Sequence, residues 1–110
     1  MSPLLYYTEM NNQMKITLNG RNMTTKKGAH GYIRGKLKTQ EYYGENLDAL
    51  WDVLSSYDQP IQIRFVNREK IVGNLGDYGE ALIKVFQDAA KENKHITLSS
   101  NEQGPDKDIR

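Results

Sequence analysis

Three short stretches of alternating apolar and polar residues, held far apart by segments patterned as helix, constrain this chain more than any other feature. Ile16 and Leu18 alternate with Lys15, Thr17 and Asn19. Ile61, Ile63 and Phe65 alternate with Gln62 and Arg64, and Ile96 and Leu98 alternate with His95, Thr97 and Ser99. A period of two places successive side chains on opposite faces of a strand. The intervening segments are too long for hairpins and too helical for loops, so they read as crossovers, which join parallel strands. A parallel sheet covered on both faces would have unbroken apolar strands. Here one face is polar on all three. The pattern predicts a two-layer α/β domain, a three-stranded parallel sheet with about four helices packed on one face.

The first crossover holds two predicted helices. Thr25 is placed to cap KKGAHGYIRGKLK, in which Ala29, Ile33 and Leu37 make one stripe. Gly28, Gly31 and Gly35 each cost this helix about 1 kcal/mol relative to alanine. Gly44 closes a turn, and Asn46 caps a second helix whose apolar face is Leu47, Leu50, Trp51 and Leu54. The second crossover opens at Asn67 with a short helix expected to stop at Gly73. Asp77 then starts the longest helix, with Glu80 completing an acidic capping box and Leu82, Val85, Phe86 and Ala89 forming the buried stripe. Asn93 ends it. Residues 14–100 thus form one domain, preceded by an extension (1–13) and followed by a polar tail (101–110).

What composition excludes is as useful. The 110 residues contain no cysteine, which removes disulfides, thiolate metal sites and cysteine nucleophiles. No apolar run reaches the roughly 18 residues of a membrane span, and no signal-peptide pattern opens the chain. The expectation is a cytoplasmic protein without a membrane role. His30 and His95 have no metal-ligand neighbours in sequence and read as ordinary surface or hydrogen-bonded histidines. Gly73, Gly76 and Gly79 lack the order and lysine of a phosphate cradle. Lys26, Lys27, Arg34, Lys36 and Lys38 are the one basic concentration and read as a solvated helix face. No cofactor, metal or direct nucleic-acid contact is expected.

Charge is nevertheless segregated. The chain has 15 basic and 14 acidic residues for a net +1. Residues 41–60 hold five of the acids (Glu41, Glu45, Asp48, Asp52 and Asp58) and no Lys or Arg, so the stretch carries −5 and the rest +6. Asp48 and Asp52 lie four apart on the polar side of the second helix, where they repel one another. Asp48, in the first turn, gains about 0.3–1 kcal/mol from the helix dipole; Asp52 gains less. The fold does not benefit from this pair, which points to a cationic partner. As an acid/base couple they would need contrasting environments to split their pKa values, and two exposed aspartates have none.

Residues 41–52, EYYGENLDALWD, resemble the signature of the barstar family of ribonuclease inhibitors, and the resemblance extends over roughly residues 14–100. It implies a compact intracellular protein that binds a cognate secreted ribonuclease 1:1, is monomeric when free, and has no catalytic activity of its own. In such a protein the second helix and the preceding loop plug the enzyme's active site. By correspondence with the motif, Asp52 would occupy the substrate phosphate site and Asp48 would be the second acidic contact. Tyr42 would lie over the catalytic histidine, and Trp51 would be partly interfacial. Gly44 and Asn46 belong to the same loop. Asp88 falls where the family places a supporting glutamate and is one methylene shorter; Tyr57 falls where an aromatic borders the site, and Ser56 replaces a glycine there. The best-known members are strongly acidic overall, whereas this chain is +1. That departure motivates a second reading, in which the same scaffold is an interaction module for a different basic protein such as a toxin or regulator.

Overall fold

The computed structural model describes residues 14–38 and 44–100. The expectations for Tyr42, for the 1–13 extension and for the 101–110 tail lie outside those residues. The elements are β1 (Met14–Asn19), a 3-10 turn (Gly20–Asn22), α1 (Lys26–Leu37), α2 (Leu47–Ser55), β2 (Ile61–Val66), α3 (Arg68–Leu75), α4 (Asp77–Glu92) and β3 (Ile96–Ser100). The strands form one parallel sheet in the order β1-β2-β3. Met14 is in register with Ile61 and Leu18 with Phe65; Ile61 in turn is level with Ile96.

The alternation in the sequence becomes the two faces of this sheet. Ile16, Leu18, Ile61, Ile63, Phe65 and Ile96 are buried, while Lys15, Thr17, Arg64 and Thr97 are exposed. Ile33 and Leu37 of α1, Leu50 and Leu54 of α2, and Leu82 and Phe86 of α4 complete a single core against the apolar face. The Phe65 and Phe86 rings meet edge to face, 5.3 Å between centroids. Each such large apolar side chain contributes about 1.5–3 kcal/mol by leaving water. The contacts sort the layer: α1 lies against β1, α4 against β3, and α2 against α4.

Helix boundaries follow local chemistry, with two corrections. Thr25 caps α1 by accepting the Gly28 N–H at 3.0 Å, and Asn46 caps α2 by accepting the Ala49 N–H at 2.8 Å. The α3 helix does not stop at Gly73; it runs to Leu75 and is ended by Gly76, whose φ of 62° is one that side-chain-bearing residues rarely adopt. Nor does Asp77 cap α4 through a capping box. Gly76 occupies the cap position without a side-chain bond, and Asp77 and Glu80 lie in the first turn, where the helix dipole favours them.

Candidate functional site

The α2 helix is short, and both of its ends are fixed. At its start the Asn46 side chain holds the Ala49 N–H, and the Asn46 N–H donates to Gly44 O at 2.9 Å. A Cβ at Gly44 would come 2.9 Å from Asn46 Nδ2, so a side chain there would crowd the residue that caps the helix. At its end Ser56 donates twice to the Asp52 carbonyl, through its N–H at 3.2 Å and its hydroxyl at 2.7 Å. A clamp from elsewhere in the chain joins them. Asn93 Nδ2 donates to Leu54 O at 2.9 Å and Tyr57 O at 2.8 Å, from a side chain that is almost fully buried.

The buried stripe of α2 is Leu50, Val53 and Leu54, which turns Asp48 and Asp52 to solvent. Neither carboxylate is paired with a cation among the described residues. Glu45 and Asp58 at the two flanks are exposed as well. The result is an acidic ridge on a helix with no basic residue in either end turn. Such a ridge of carboxylates offers acceptors to cationic donors.

The remaining candidates divide. Trp51 is half-buried and packed against the core, so part of the ring is available to a partner and part is structural. Tyr57 is also half-buried; its hydroxyl donates to Met14 Sδ at 3.3 Å. Burial, reinforced by the nearby Asp58 charge, pushes the Tyr57 phenol above its usual value, so it stays protonated at neutral pH. Ser56 is exposed, with its hydroxyl committed to the end of α2. Asp88 lies in α4, and its Oδ2 is 3.4 Å from Lys84 Nζ one turn earlier. It therefore has a cation of its own, unlike Asp48 and Asp52. That exposed pair is worth no more than about 1 kcal/mol, weak enough to exchange for another partner.

Two buried polar side chains carry no such signal in the sequence. Asn93 reads there only as a helix terminator, and nothing local announces its clamp. His30 is fully buried in α1, with Nε2 2.6 Å from Tyr78 Oη at the start of α4. Burial lowers its pKa, against an opposing influence from Glu45. No group of three or more His, Cys, Asp or Glu side chains able to hold a metal occurs among the described residues. None of their helices is long and apolar enough to cross a membrane.

Comparison with known proteins falls on the same region of the chain. A family model described as Barstar (barnase inhibitor) matches residues 13–102. A Bacillus subtilis (strain 168) protein named "Putative ribonuclease inhibitor YrdF" is 37% identical over 81 residues, which is 73% of this chain and 89% of that protein.

Proposed function

The chain belongs to the barstar family, and from that premise we propose that it is a non-catalytic inhibitor whose α2 ridge enters the cationic active-site cleft of a ribonuclease. Asp48 and Asp52 take the places of RNA phosphates. The observation that carries this reading is the state of those two carboxylates, exposed on a helix fixed at both ends and unpaired with cations among the described residues. Pre-positioned acceptors lose little conformational freedom when they bind, which is what makes a rigid mimic effective. Asp52 is the central contact and Asp48 the second. Tyr42 covers the catalytic histidine, Trp51 and Tyr57 edge the contact, Gly44 and Asn46 shape the loop, and Ser56 and Asp88 lie at the margin.

Electrostatic attraction to a basic enzyme comes here from the local patch, since the whole chain is only +1. The complex has 1:1 stoichiometry and buries roughly 1,600 Å². Calorimetry against a panel of small secreted microbial ribonucleases tests the assignment. At least one enzyme should bind and lose activity, and Asp52→Ala should weaken that complex by about 3 kcal/mol or more, because the enzyme's buried cations lose their counter-charge. An affinity unchanged by Asp52→Ala would refute the mechanism.

A further inference from the structure

Two lysines of the basic first crossover border a cleft. Between β1 and α1 lies an open cleft of about 730 Å³. Lys15 of β1 lines one wall, Lys36 and Lys38 line the other, and no carboxylate lines it among the described residues. Lys36 and Lys38 end α1, where the helix dipole favours cations. Lys15, across the cleft on the strand, has no such reason to be basic.

Two glycines open the helical wall. Gly31 and Gly35 are four apart in α1, and a Cβ at either would meet nothing within 4 Å. Packing among the described residues does not require glycine at these positions, and each weakens the helix by about 1 kcal/mol. Their consequence is room beside the strand.

The strand itself supplies the third element. Among the described residues β1 is an edge of the sheet. The Met14 N–H donates to Pro60 O, so Met14, Ile16 and Leu18 turn their backbone groups toward β2. Thr17 and Asn19 turn outward, where the Tyr32 hydroxyl accepts the Asn19 N–H at 2.9 Å and donates to Thr17 O at 3.5 Å. The same alternation sends the N–H and C=O of Lys15 and the N–H of Thr17 into the cleft. These three groups have no hydrogen-bond partner among the described residues. Among the described residues Tyr32 thus closes the far end of the edge and leaves its beginning open.

We propose that this cleft binds an acidic peptide segment in extended conformation, which adds to β1 as a short fourth strand with its carboxylates against Lys15, Lys36 and Lys38. A strand offers both donors and acceptors to the Lys15 and Thr17 backbone groups, whereas a nucleic-acid phosphate offers acceptors alone. The surface is distinct from α2 and does not depend on ribonuclease inhibition.

The test titrates the full chain into a fluorescein-labelled peptide of six glutamates, whose side chains reach both faces of an added strand, read by anisotropy. Saturable binding is expected, weakened about ten-fold or more by Lys36→Glu/Lys38→Glu and by Gly31→Leu/Gly35→Leu. The glycine replacements favour helix, so circular dichroism should report an intact fold; the lysine pair tests the same point at the surface if it does not. Asp52→Ala should bind the peptide unchanged. Methylation of the peptide's alternate backbone amides, which preserves charge and removes pairing, should also cost about ten-fold. Absence of binding, equal binding of the methylated peptide, or tighter lysine-dependent binding of an oligouridylate would overturn the proposal. So would a concentration-dependent dimer that Gly31→Leu/Gly35→Leu dissolves, because the cleft would then hold a second copy of the chain.

Discussion

Asn93 and Leu54 are 39 residues apart in sequence and joined by a hydrogen bond of 2.9 Å from the Asn93 side-chain amide to the Leu54 carbonyl. The same amide reaches Tyr57 O, and its oxygen accepts the His95 N–H at 3.0 Å. One buried side chain therefore ties the end of α2 to the junction between α4 and β3. The C-terminal carbonyls of a helix lack intrahelical partners, and here a residue from the other end of the domain supplies one.

Asn93→Ala should destabilise the protein by about 1–3 kcal/mol, since it takes the donor from Tyr57 O and leaves Leu54 O with the Tyr57 N–H alone. Urea unfolding followed by tryptophan fluorescence measures this directly. Asn93→Asp should be at least as damaging, because a carboxylate cannot donate to either carbonyl.

Asp52→Ala should leave the free protein as stable as before or more stable by a few tenths of a kcal/mol. It relieves the repulsion from Asp48 and installs a better helix former. A thermal melt of the unbound variant checks this, and a large loss would mean that Asp52 has a structural task inside the fold.

Alanine substitution should have opposite signs at two kinds of glycine. At Gly79 the new Cβ would come 2.5 Å from Ile71 O and 3.1 Å from Val72 Cα, forcing α3 and α4 apart at a cost of about 1–3 kcal/mol. At Gly31 or Gly35 it meets nothing and should stabilise by about 0.5–1 kcal/mol. Chemical denaturation of the three variants separates the cases.

Stability should fall as pH drops below the ordinary histidine value of 6.5. His30 is buried, and its pKa is lowered in the fold, so the unfolded chain binds the proton more readily. The contribution is fully present above 6.5 and is lost as pH falls through the depressed folded value. Unfolding free energies between pH 8 and pH 5 should decline less for His30→Gln than for the parent, measured above the range where carboxylates titrate.

The fold was legible wherever periodicity alone decided it. The strands around Ile16, Ile63 and Ile96 and the apolar stripe of α2 follow from spacing, and that stripe also fixes where Asp48 and Asp52 point. Long-range partners were not legible. Asn93 binds backbone carbonyls, which carry no residue-specific signal, and His30 meets Tyr78 from 48 residues away. Gly73 is a false stop signal for α3, because it is exposed and tolerated within the helix, while Gly76 holds the positive φ that breaks it. In the lysine-rich helix, charge was visible and the adjacent open strand edge was not.

The parallel register of β1 and β2 has a consequence for how the ridge comes into being. Met14 pairs with Ile61, so α2 sits inside a long loop that closes only when distant strands meet. Closing such loops costs entropy before any contact repays it, and nonlocal pairing slows folding. With Asn93 holding its far end, α2 draws part of its final posture from a distant part of the chain. A ligand captured there would consequently protect amide protons throughout the sheet, because stabilising the ridge is thermodynamically the same act as stabilising the whole molecule.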